Sequence, residues 1–219
     1  MNVNVTQADM QGMMNRLMRL ARLDTTVFDE VRLDPGATVP AVIVAAVATF
    51  LAGLGGWLWW TMTQGYGDGG KVFVQSLILG SVFSIALWVA WLLIVYVLLT
   101  QVFRAQADVQ QLVRVMGLAA APLALSVLMF IPALDFGIGL ASIALLFGLT
   151  TIAIQSATNA SPGVVLVCNL AGFAVWAIVL GLLVTSSNFF APGFFLMHFG
   201  DQWLKSPTTN FKFNFNVSP

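Results

Sequence analysis

From Phe136 to Gly200 the chain runs 65 residues without one acidic or basic side chain. Asp135 and Asp201 bound the stretch, and inside it lies the chain's one histidine, His198. Water cannot solvate so long an apolar run, whereas a bilayer demands one: a charge at mid-membrane costs about 2.5–3.5 kcal/mol. Three more charge-free windows lie upstream, at residues 37–67, 72–103 and 115–134. Charged residues make up 8% of the chain, against roughly 25% in soluble domains. The pattern predicts an all-α, polytopic membrane bundle.

A crossing takes about 20 apolar residues at about 1.5 Å each. Five segments meet that length, at residues 39–62, 73–103, 115–133, 136–156 and 163–185. The breaks between them are chemically legible. Residues 66–71 form a polar glycine turn, 104–114 a charged connector, and 132–135 (Pro-Ala-Leu-Asp) a tight hairpin. Asn159-Ala-Ser-Pro162 supplies turn formers and a proline at a helix start. The second segment exceeds the bilayer thickness and must tilt or protrude. This divides the chain into an N-terminal segment (1–36), a membrane domain (37–186) and a tail (187–219). Residues 1–23 are too polar and too periodic for a signal peptide.

Basic residues set the expected orientation. Arg16, Arg19, Arg22, Arg32, Arg104 and Arg114 fall on the N-terminal side of a five-span bundle, and Lys71, Lys205 and Lys212 on the other. This bias places the N-terminus in the cytoplasm of a bacterial inner membrane and the tail outside. Trp57, Trp59 and Trp60 then suit an outer aromatic belt. Met10, Met13, Met14, Leu17 and Leu20 mark one face of an amphipathic helix flanked by Arg16, Arg19 and Arg22. Those arginines are the candidates for contact with an anionic leaflet. A helix packed on the ends of the spans fits the same periodicity. Asp24-Thr-Thr-Val predicts an N-cap and a second short helix to Leu33.

Reactive constellations are missing. His198 has no second histidine and Cys168 has no partner at metal-ligand spacing, so neither a metal nor a cofactor is expected. Cys168 reads as a packing residue. Asp135 reads as a solvated turn residue, with an ion path as its second reading. The glycine turn at 65–70 lacks the lysine-serine of a phosphate loop and the residue order of a selectivity filter. Net charge is zero, which gives nucleic acid no field to follow.

Small residues at Gly53, Gly55, Gly56, Gly80, Ser81, Gly117, Gly137 and Gly139 signal close helix packing. Asn169 is the costliest polar residue inside a span and should bond across helices. The tail holds eight of the chain's 17 phenylalanines. Phe189, Phe190, Phe194, Phe195, Phe199 and Trp203 suit an interfacial segment. Phe211, Phe213 and Phe215 alternate with polar residues at the period of a strand. A lone strand of this kind is unstable in water, so these aromatic residues are the candidates for partner contact.

Phe28-Asp-Glu-Val31 followed by Asp34-Pro35, the stretch 113–122 ending in Ala-Ala-Ala-Pro, the hairpin at 131–134 and the polar link at 154–162 together resemble the bacterial-type branch of the Yip domain family. The resemblance spans residues 28–184. It implies a five-span bundle with a cytoplasmic N-terminus and no catalytic residues. The family's Asp-Leu-Tyr-Gly-Pro motif is missing and Gly117-Leu118 replaces its Gly-Tyr, so GTPase binding is not carried over. The expected function is that of a non-enzymatic scaffold or accessory subunit, touching lipid and other membrane subunits and able to pack around pigments or quinones. A small transporter or channel is the alternative, with Asn169, Gln75 and Asp135 converging on one path. An intramembrane lipid enzyme using Asp135 or His198 is the third reading.

Overall fold

The computed structural model describes residues 7–63, 69–131 and 134–187, all of the regular elements among them helical. Two short helices, α1 (Gln7–Ala21) and α2 (Val27–Leu33), precede the bundle. Five helical stretches are long and apolar enough to cross a membrane: Pro35–Met62, Gly70–Val102, Val109–Phe130, Asp135–Ser156 and Pro162–Leu183. The first covers all but the last residue of α3 (Thr38–Thr63), and the second covers all but the first residue of α4 (Gly69–Val72) and the whole of α5 (Ser81–Val97). The third begins as α6 (Val109–Ala119), the fourth is α7 (Asp135–Ser156) and the fifth lies within α8 (Pro162–Ser187).

Packing joins these spans in a ring that does not follow chain order. The first touches the second and third, the third touches the fourth, and the fifth closes between the fourth and second. The third is the best buried, 67% against 33% to 44% for the others. Its seam with α3 explains why. Ala41, Ala45, Ala48 and Ala52 repeat every three or four residues along α3 and are all buried. Continuing that stripe, Gly55 sits where a Cβ would meet the Ser126 carbonyl oxygen at 1.9 Å. From the other side, a Cβ on Gly117 would lie 2.7 Å from the Ala41 carbonyl oxygen. Lipid tails are as apolar as the side chains, so close backbone approach and van der Waals contact hold such helices together.

The second and third spans depart from α geometry in opposite senses. Residues Phe73–Gly80 and Leu98–Val102 wind as π-helix. An i→i+5 ladder makes a wider turn with less rise, so the overlong second span is shortened. In the third span Pro122 withholds a backbone donor, and Ala121–Phe130 winds as 3-10 helix, which rises about 2.0 Å per residue.

The third span also starts earlier than the sequence reading placed it. Residues 109–114 belong to helix rather than to a charged connector, because Asp108 caps the helix by accepting from the Gln111 amide at 2.9 Å. Arg114 is consequently carried into the bundle and is 6% exposed. Of the glycine turn expected at 66–71, residues 69–71 are helical, in α4, and 66–68 lie outside the described residues, as do residues 64, 65, 132, 133 and 188–219.

On the N-terminal face, α2 is pressed into the bundle: Val27, Phe28 and Val31 are fully buried against α6 and α7. The α1 helix packs above it through Met13 and Leu20, and its remaining methionines, Met10, Met14 and Met18, form an exposed stripe. The periodic apolar face seen in the sequence is therefore split between bundle and surroundings. Helix α1 ends with Leu23 at φ 62°, where the Asp24 amide returns to the Arg19 carbonyl. That cap position favours glycine, because an L side chain there costs about 1–2 kcal/mol. Leu23 is 69% exposed, so little packing offsets the strain. Glycine's greater chain entropy takes back about 0.5–1 kcal/mol of that, so Leu23→Gly should slow hydrogen exchange of the α1 amides about two- to fivefold.

Candidate functional site

Hydroxyl groups inside the spans mostly bond their own helix. Thr49 donates to the Ala45 carbonyl, Thr100 to Tyr96, Ser142 to Ile138, Thr150 to Leu146 and Thr151 to Phe147, all at 2.8 Å. Each satisfies itself locally and leaves its oxygen lone pairs available to a neighbour. One neighbour uses them. Asn169, fully buried on α8, donates through Nδ2 to Thr150 Oγ1 at 3.1 Å, to Thr151 Oγ1 at 2.8 Å and to the Phe147 carbonyl at 3.2 Å. Its Oδ1 accepts from Trp91 Nε1 of α5 at 3.0 Å. Both ends of the amide are thus used, and α5, α7 and α8 meet at one side chain.

An aromatic shell seals this knot. Trp91 and Trp176 lie with ring centroids 5.9 Å apart, and Phe173 stands 5.4 Å from Trp91 and 5.1 Å from Phe147. Gly172 makes room for the indole: a Cβ there would come 2.1 Å from Trp91 Cδ1. Cys168 is fully buried beside Asn169 in the chain, in agreement with its reading as a packing residue. Such an arrangement holds helices; it offers no unsatisfied polar atom to a solute.

Asn169 does not come together with Asp135 or Gln75. Asp135 opens α7, is half-buried, and accepts from Trp59 Nε1 at 2.9 Å and from the Phe136 amide. Asn169 bonds α7 some 15 residues further on, which at about 1.5 Å per residue puts it roughly 22 Å away. Gln75 lies in the first π segment, 16 residues and roughly 20 Å before Trp91.

At the N-terminal face the chemistry is ionic. Arg114 donates from Nε to Thr38 Oγ1 at 2.7 Å, from one terminal nitrogen to the Arg32 carbonyl at 2.9 Å and from the other to Gln110 Oε1 at 3.2 Å. The Arg32 carbonyl belongs to the last turn of α2, whose dipole favours a cation there. One guanidinium therefore ties the end of α2 and the start of α3 to α6. The sequence reading missed it, although Asp108-Val-Gln-Gln111 carries the Asp-x-x-Gln signature of a helix start six residues earlier.

Of the proposed membrane-surface arginines, two are held within the protein. Arg16 pairs with Asp34 at 2.8 Å, and Arg19 pairs with Asp24 at 2.8 Å and Glu30 at 2.7 Å while donating to Thr26. Arg22 is exposed. Hydrogen bonds from Thr26 and then from Arg19 lower the Asp24 pKa, and the bonds to Glu30 and Asp24 raise that of Arg19. Asp24 accepts both the amide and the hydroxyl of Thr26 and so shapes the turn into α2; the second helix forms as expected, but without the expected side-chain N-cap, since Thr26 at the cap position makes no such bond.

The aromatic candidates Phe189, Phe190, Phe194, Phe195, Phe199, Trp203, Phe211, Phe213 and Phe215, together with His198, lie outside the described residues. Among the described residues no three His, Cys, Asp or Glu side chains gather where they could hold a metal ion. Comparison with family models, with curated proteins and with solved structures returned no match for this chain.

Proposed function

We propose that this protein is a non-catalytic membrane scaffold or accessory subunit, of Yip-like type, that works through lateral contacts of its helices and its aromatic tail. The observation that carries the reading is the complete engagement of Asn169. A fully buried side-chain amide within the membrane segments is spent on joining three helices rather than on a solute. Transport would require Asn169, Gln75 and Asp135 to converge, and Asn169 stands roughly 20 Å from each of the other two.

The exposed apolar faces support lateral contact. Val42, Phe50, Leu140, Leu170 and Ile178 face outward from the bundle, available to lipid or to another helix. The balance of arginines places the N-terminal face in the cytoplasm of a bacterial inner membrane. The phenylalanine-rich tail then reaches the opposite side, where its alternating segment would add to a partner.

Deleting residues 210–219 tests the reading. Full-length protein extracted in mild detergent should run as a larger complex on native mass spectrometry, and the truncated protein as a smaller one with its helical content unchanged. A monomer of identical mass distribution with and without the tail would speak against it.

A further inference from the structure

A polar cavity of 430 Å³ opens on the N-terminal face, lined by Arg32, Gln106, Asp108, Gln111, Thr158 and Asn159 among others. Its level in the membrane follows from the ends of the spans. Arg32 stands three residues before Pro35, Asp108 directly before Val109, and Thr158 two residues after Ser156. All three are span boundaries on the same face, so the cavity lies at the depth of lipid headgroups.

The site is built rather than incidental. Thr158 Oγ1 donates to the Gln106 carbonyl at 2.8 Å, and the Gln106 amide donates to Asn159 Oδ1 at 2.8 Å. Residues 107 and 158 form a bridge between these two segments. The wall made by the 103–108 connector and the 157–161 link is thereby fixed. Arg32 forms an ion pair through Nε with the exposed Asp29 at 3.2 Å, without hydrogen-bond geometry, and no hydrogen bond from its terminal amino groups is seen among the described residues. Asp108 gives one oxygen to the Gln111 amide. A carboxylate has lone pairs to spare, so the other oxygen can take a further donor.

We propose that this cavity binds the headgroup of an aminophospholipid from the adjoining leaflet, with the phosphate on Arg32 and the ammonium on Asp108. Opposite charges on the two sides select a zwitterion with N–H donors. A purely anionic headgroup would face the Asp108 carboxylate, and a choline headgroup has no N–H to give it. Polar pockets between span ends are where headgroups are recognised, and this one falls within the usual volume of small-ligand sites, about 300–1,000 Å³.

The test is native mass spectrometry of the full chain after equilibration with equal amounts of phosphatidylethanolamine, phosphatidylglycerol and phosphatidylcholine. The wild type should retain the ethanolamine lipid about tenfold over each of the others. Arg32→Gln should abolish that retention, and Arg32→Lys, which keeps the charge, should restore part of it. Asp108→Asn keeps a good helix cap and should lose the preference over phosphatidylglycerol. Asp29→Asn removes the neighbour of Arg32 without touching the cavity and should retain the lipid. Equal retention of the three lipids by the wild type would overturn the proposal, as would an ethanolamine preference unchanged in both Arg32→Gln and Asp108→Asn. Soluble glycerophosphoethanolamine carries the same headgroup and should compete only in large excess over the lipid; its retention in preference to the lipid at equal concentration would assign the cavity to a free metabolite and overturn the proposal.

Discussion

Gly55→Ala is expected to cost more than about 3 kcal/mol, enough to deplete the folded protein. The added methyl carbon would stand 1.9 Å from the Ser126 carbonyl oxygen and 2.7 Å from the Val127 Cα. Both are backbone atoms, so no rotamer change can relieve the contact. The seam between α3 and the third span would have to open along its length. Gly137→Ala is the matched control. Nothing lies within 4 Å of a Cβ there, so alanine should be neutral or stabilising by up to about 1 kcal/mol through helix propensity. Thermal unfolding in detergent measures both. Equal effects at the two positions would mean that the α3 seam is not packed as closely as described.

Asn169→Ala is the second large effect, at about 2–4 kcal/mol. Interhelical hydrogen bonds in membranes average only about 0.6 kcal/mol each. Truncating Asn169, however, removes an acceptor and two donors at once, leaves Trp91 Nε1 without a partner in a dry interior, and opens a void. Trp91→Phe should cost less on its own. The double variant should then be less destabilised than the sum, with a coupling of about 0.6–1.7 kcal/mol. Strict additivity would show that the indole–amide bond contributes nothing.

The five crossings were legible because charge is excluded from hydrocarbon whatever the neighbouring helices do. Their ring order was not, because packing depends on which face meets which. Gly55 and Gly137 look alike in the sequence, yet one touches backbone and the other faces outward. The start of the third span was misplaced for a related reason. Arg114 looks like a boundary charge, and only the fold supplies the Arg32 carbonyl, Thr38 and Gln110 that make its burial tolerable. Asn169 was readable as an interhelical bonder from its cost alone. Trp91 was not readable as its partner, since an indole in an apolar run suits lipid equally well. The α1 periodicity was correct in kind, but it could not divide the helix's methionines between the bundle and an exposed stripe.

The central claim is that polar side chains within the membrane serve packing and line no hydrated path. Cys168, the chain's one cysteine, is fully buried next to Asn169 and reports on it without any mutation. The direct measurement is modification of Cys168 by a charged, membrane-impermeant thiosulfonate, applied from each side of protein-containing vesicles. Cys168 should stay unmodified from either side and be fully modified after unfolding in dodecyl sulfate. Rapid modification of the folded protein from either side would reveal water at Asn169 and contradict it.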